Sequence, residues 1–245
     1  MTGSGLREVS FTKQEKKDFL ITTLVSSLIL FFFFTKLFWK EEVVSVVNVM
    51  FHLATTILIA AISLGTVIYT TKWMAKKLAY QATYSSWKTG LVVAFVIAFI
   101  TDGYLPLLVL GAMDLHIIPQ LRYGKLFPGE NRKEIFKILG IGTFSLLILS
   151  LFSHMIFMVT QITFFAELMT ASALLLLCIL LPLTKNHGAL LFMSSRKNYI
   201  LMFLFAIFFF VFVLLQSFYA LILALVVAAF IYFLTKKWFH KQLGV

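Results

Sequence analysis

From Tyr199 to Leu234 the chain carries no charged residue, and Gln216–Ser217 is the one strongly polar pair in the run. A single helix of that length would overshoot a bilayer's ~30 Å apolar core by ~20 Å. The run therefore predicts two spans, 199–215 and 218–236, joined by a tight hairpin at Gln216–Ser217. Four more apolar runs, 19–39, 46–71, 136–158 and 163–184, are long enough to cross at about 1.5 Å per residue. The chain is 61% hydrophobic and 13% charged, whereas a soluble domain is about half apolar and about a quarter charged. The expected fold is all-α: a polytopic transmembrane helical bundle of about six full spans. The first run has no small-residue cleavage site after it and reads as a retained helix.

The segment 89–113 fits none of these spans. Asp102, Gly103 and Pro106 interrupt it, and Pro removes a backbone donor while Gly weakens a helix. It is either a seventh span or a re-entrant, broken segment that enters and leaves on one side. Charge separates the two readings. Basic residues cluster at the N-terminus, at Lys72–Lys88, at Arg122–Lys137, at Lys185–Lys197 and at the C-terminus, which together hold 19 of the 21. With 89–113 re-entrant, all five clusters share one side and only Lys36 and Lys40 lie opposite. Cytoplasmic loops carry the excess of Lys and Arg in membrane proteins. That rule selects the re-entrant form, in the cell membrane, with both termini cytoplasmic. The organisation expected is a polar cytoplasmic N-terminus, 1–18, and a single transmembrane domain, 19–241. The net charge of +11 is then an orientation signal and points to no nucleic acid. Irregular backbone at membrane depth persists only where protein buries it or it lines a cavity, so 89–113 must pack against the other helices.

Two stretches carry a resemblance. Leu181–Arg196 reads LPLTKNHGALLFMSSR, and Lys72–Leu91 reads KWMAKKLAYQATYSSWKTGL. They resemble the archaeal-type branch of the site-2-protease-like intramembrane zinc metalloproteases. In that family the first stretch has a Leu-Pro start, then Leu-Asp-Gly, then an apolar-Phe pair and often Ser-Arg. Leu181, Pro182, Gly188, Phe192, Ser195 and Arg196 keep that order. The second stretch looks like the continuation of the family's zinc helix. Weaker similarities lie at Lys16–Asp18 and at Gly111–Leu115 followed by RYGKLFPG.

The departures bear on chemistry. The family's zinc site is H-E-x-x-H on a helix, where His at i and i+4 share a face and the Glu is general base. A later Asp is the third ligand. Carried onto this chain, the two His positions fall on Val67 and Thr71, the Glu on Ile68 and the Asp on His187. Val and Ile cannot bind zinc, and one His cannot supply the three protein ligands of a catalytic site. The Gly140–Leu147 run, GIGTFSLL, stands where the family carries Gly-Pro-x-x-Asn. The resemblance thus implies the fold without the chemistry: a pseudoprotease with no metal, no cofactor and no catalytic residue.

Single residues carry bland expectations beside functional ones. His187 is expected as a solvated loop residue. His52, His154 and Glu167 lie near the outer ends of their spans and form, with Asp102, a possible polar intramembrane site, since ionisable groups in a membrane are costly. The plainer reading is three interfacial residues, or one Glu–His pair that fixes packing. Asp102 is expected to cap a second helical half of 89–113. Phe31–Phe34 and the Phe-rich stretch 203–212 read as packing bulk. The Arg122–Lys133 loop could dock a partner or anionic lipid headgroups. Cys178 stands alone, which excludes an internal disulfide and CxxC chemistry.

The function expected is binding of a partner's transmembrane helix in the bilayer, or service as a subunit of a membrane complex. The alternatives are a transporter, channel or permease subunit, and an active protease with a rearranged site. Broken segments near mid-membrane typify transporters, but no internal inverted repeat is evident.

Overall fold

The computed structural model describes residues 11–37, 46–118, 131–183 and 185–215. Among them five helices are long and apolar enough to cross a bilayer: α1 (Lys13–Leu37), α2 (Val46–Lys77), α4 (Arg132–Thr160), α5 (Thr163–Leu180) and α7 (Arg196–Leu215). They match five of the six expected spans. The sixth, 218–236, lies outside the described residues, as do the Gln216–Ser217 turn and most of the Arg122–Lys133 loop. The fold is all-α and polytopic, with two short strands and two shorter helices, α3 (Lys88–Ile100) and α6 (His187–Ser194).

The bundle is built around α5. Its sequence is apolar nearly all round, with Glu167 its one charged residue, which suits a helix enclosed on every side, and 78% of the helix is buried inside the protein. It packs on α2, α4, α6 and α7. Pro182 ends it, because the residue before a proline is pushed out of the helical region. Its terminal carbonyls find partners nonetheless: the Asn186 amide donates to the Cys178 carbonyl at 3.2 Å, and the Tyr199 hydroxyl to Leu180 at 2.7 Å. Gly188 rests on the end of the helix as well, and a Cβ there would collide with the Leu180 and Leu181 oxygens. Much of the LPLTKNHG stretch is therefore the lock between α5 and α6.

The first helix begins at Lys13, six residues earlier than the expected span. Thr12-x-x-Glu15 forms a capping box. The Glu15 N–H donates to Thr12 Oγ1 at 3.2 Å, and the Thr12 N–H donates to Glu15 Oε2 at 2.8 Å. Residues 13–18 of the polar N-terminus thus contribute a turn and a half of helix, with Glu15 and Asp18 buried.

The segment 89–113 leaves and returns at one place. Strands β1 (Tyr80–Ser85) and β2 (Ala112–Ile117) pair antiparallel, from Tyr80↔Ile117 to Ser85↔Ala112, so its two ends lie side by side. From β1 the chain runs out along α3, about 20 Å at 1.5 Å per residue. It turns at Asp102 (φ 50) and Gly103 (φ 83), both left-handed. The Gly103 N–H donates to the Ala98 carbonyl at 2.8 Å and the Asp102 N–H to Phe99 at 3.1 Å, a Schellman ending that left-handed residues permit. Gly103 meets the backbone of α1 so closely that a Cβ would collide with the Phe32 carbonyl. The return limb has no regular structure, yet Leu108, Val109 and Leu110 are buried. Protein covers the irregular backbone from Leu108 to Gly111, as a bilayer requires, while Tyr104 and Leu105 beside the turn are exposed.

This corrects the expectation for Asp102. No helix follows it, so it caps no second half. It ends α3, and its carboxylate pairs with Lys36 of α1.

Candidate functional site

Val67, Ile68 and Thr71 all lie buried on α2. Val67 and Thr71, four residues apart, share a face. That face is closed by α4 at Gly142, where a Cβ would collide with Thr71 Oγ1 and lie 3.5 Å from Val67 Cγ1. One residue away, Thr70 Oγ1 and Ser145 Oγ are hydrogen-bonded at 3.0 Å. Small residues let membrane helices approach this closely. The GIGTFSLL run is therefore the seam between α4 and α2. Thr71 Oγ1 is buried without a hydrogen-bond partner among the described residues.

His187 departs from its expected place in a solvated loop. It opens α6 and is fully buried. Neither ring nitrogen has a partner among the described residues. Burial penalises the charged imidazolium and pulls the pKa down to about 4 from 6.5. The reason is the lock after α5: Gly188 seats so tightly on the α5 carbonyls that its neighbour is carried inside. α6 packs chiefly on α4, the helix that also closes the Val67–Thr71 face. Among the described residues, no three or more His, Cys, Asp or Glu side chains group so as to hold a metal ion.

The second expected set divides. Asp102 is two-thirds exposed beside Lys36, whose ammonium also lies over the Tyr104 ring at 5.8 Å. His52 is half-buried near the start of α2. His154 and Glu167 are buried on the adjacent helices α4 and α5. The Ser150 hydroxyl donates to the Met169 carbonyl at 3.0 Å and sets their register: position 154 lies opposite 165, about 3 Å in depth from Glu167. His154 packs edge-on against Phe212 of α7. Two of the four residues thus share a level of the α4–α5 hairpin, while Asp102 is at the tip of the excursion.

A cluster the sequence reading missed holds that excursion in place. Lys72 Nζ lies 2.6 Å from Glu15 Oε1, both side chains only 5% exposed. The Tyr84 N–H donates to the same Glu15 oxygen at 2.9 Å. The Tyr84 hydroxyl donates to the Leu110 carbonyl and is bonded to Thr22 Oγ1 at 2.7 Å. Burial holds that phenol's pKa well above its ordinary value. The Ser86 hydroxyl donates to Asp18 at 3.1 Å. Both ends of the excursion, Tyr84–Ser86 and Leu110, are so tied to α1. Two signals in the sequence pointed here: the Thr12-x-x-Glu15 box, and the alternation Met113-Asp114-Leu115-His116-Ile117, which marks a half-buried strand. The return limb is tied to α5 as well, its Leu108 N–H reaching Cys178 Sγ at 3.5 Å.

Comparisons with protein families, with characterised proteins and with solved structures find no match to this chain.

Proposed function

We propose that this protein is an intramembrane binding protein, built on a site-2-protease-like plan, that holds a partner's transmembrane helix without cutting it. The observation that carries the reading is the sealed face of α2. Val67, Ile68 and Thr71 are the positions onto which the resemblance carries the family's zinc ligands and base; all three are buried, and Gly142 of α4 closes on Val67 and Thr71. Among the described residues that face presents a valine methyl and a threonine hydroxyl packed against Gly142, which supports a reading without cleavage.

A surface suited to a helix lies on the other side of α4. Phe144 and Leu151 of α4, Leu176 and Leu180 of α5, and Phe205 and Phe209 of α7 line an apolar groove of about 390 Å³. Helices associate in a membrane through van der Waals packing and interhelical hydrogen bonds, and the side chains along one face of a helix fill such a groove. The rival reading, a transporter or channel subunit, draws on buried Glu167 and His154 at one level of the α4–α5 hairpin. Exposed, paired Asp102 gives it no support.

The test uses protein purified in mild detergent after a photo-crosslinking residue replaces Phe144 or Phe205. The reading expects crosslinks to a membrane protein through its transmembrane segment, and intact partner after incubation. One tightly bound zinc per chain by elemental analysis, or a partner cleaved within its transmembrane segment, would overturn it.

A further inference from the structure

We infer that the excursion 86–111 spans the whole apolar thickness of the bilayer, and that its tip, 101–105, forms with Lys36 a patch seated in the headgroup layer of the opposite leaflet. The chain touches the far interface there and returns without crossing.

The first helix serves as the depth scale. Residues 19–35 carry no charge, and Asp18 and Lys36 bracket them. From Asp18 to Lys36 the helix rises about 27 Å, close to a bilayer's ~30 Å apolar core. Helix α3 packs on α1, and contacts along it fix its level. At the near end the Ser86 hydroxyl donates to Asp18 at 3.1 Å. Further out the Phe32 ring lies 6.4 Å from Phe95 and 6.1 Å from Phe99, and Gly103 abuts the Phe32 carbonyl. At the far end Asp102 pairs with Lys36. The tip thus stands between the levels of Phe32 and Lys36, about 21 to 27 Å from Asp18. A loop that turned at mid-membrane would reach only about 15 Å. The return limb is back in the near third of α1 by Leu110, whose carbonyl accepts from the Tyr84 hydroxyl that is also bonded to Thr22.

Charge and exposure give the same level. Residues 89–101 carry no charge, and Lys88 and Asp102 bracket them as Asp18 and Lys36 bracket α1. The outward face of α3, with Val92, Val93, Val96, Phe99 and Ile100, is exposed and apolar, a surface fit for acyl chains. The side chains of Lys36 and Asp102 are 38% and 67% exposed. Ionisable groups facing hydrocarbon are costly, so an exposed pair belongs among headgroups. Tyr104, 73% exposed beside Lys36, is of the aromatic type enriched at that level.

The experiment places one cysteine at each of three depths in a Cys178→Ser chain: Gln81→Cys, Val96→Cys and Tyr104→Cys. All three positions are exposed. Sealed vesicles of each orientation are treated with a membrane-impermeant maleimide. The reagent needs a thiolate, which apolar surroundings suppress. Gln81→Cys is expected to react from one side only, Tyr104→Cys from the other side only, and Val96→Cys from neither until detergent is added. Leu105→Cys, 62% exposed, repeats the far-side reading and leaves the Lys36–Tyr104 contact intact. Silence of both tip cysteines from the far side, or their reaction from the Gln81 side, would overturn the inference. Reaction of Val96→Cys in intact vesicles would overturn it as well, because α3 would then face water.

Discussion

His187 shows how one residue's surroundings reverse what its type suggests. Beside Lys185 and Asn186 it looks like a solvated histidine, yet Gly188 presses it into the bundle and its pKa falls to about 4. The linkage sign follows. Between about pH 6.5 and pH 4 the unfolded chain takes up a proton at this position that the folded chain refuses. Stability is therefore level above pH 6.5 and falls as the pH drops through that window, by about 3 kcal/mol in all. His187→Leu removes the titration and two buried nitrogens that are unpaired among the described residues. The expected outcome is a variant more stable at pH 7 whose advantage grows toward pH 4.5, measured as denaturant midpoints of parent and variant side by side. An advantage that does not change with pH would show that the imidazole is solvated.

Between elements, the decisive contact is the junction of α1, α2 and β1. Glu15 and Lys72 are buried against each other, and Glu15 also receives the Tyr84 N–H. Removal of one partner of a buried ion pair leaves an uncompensated charge, at a cost of about 3 kcal/mol. Glu15→Gln and Lys72→Met are each expected to lower unfolding stability by roughly that amount, while the double variant recovers most of it. Because the pair also anchors the excursion, each single variant should expose the return limb to proteolysis near Leu105–Leu107. Equal stability of the three variants and the parent would mark the pair as a surface contact. The α-helices of this junction are read readily from apolar run length. Its strands are harder, since Tyr80–Ser85 mixes polar and aromatic residues and is held by partners distant in sequence, β2 about 31 positions on and Glu15 of α1.

At the scale of the whole molecule, topology rests on the excursion. The β1–β2 pairing brings Ser85 and Ala112 together, so a bilayer around the five long helices is entered and left by 86–111 on one side. Cysteine accessibility tests this. Cys178 is buried and can be replaced by Ser, after which Gln81→Cys and Asp114→Cys each carry a reporter on an exposed strand position. Both are expected to react with a membrane-impermeant maleimide from the same side of sealed vesicles. Reaction from opposite sides would mean that 89–113 crosses fully. The same labelling assigns that side to the cytoplasm or the exterior.

Apolar run length and charge distribution by themselves determined five helical spans and the interruption at Asp102–Pro106. These are legible because a bilayer demands ~20 apolar residues per crossing and places charge at the ends. Tertiary structure alone decided which polar residues are buried and what they meet. His187 went inside, Asp102 ended a helix and paired with Lys36, and Glu15, Lys72 and Tyr84 became a clamp. Gly142 became the lid on α2. The physical reason is that the partners lie far apart in sequence: a hydrogen bond or close helix approach depends on register between elements, and no local pattern encodes register across 60 or 70 residues.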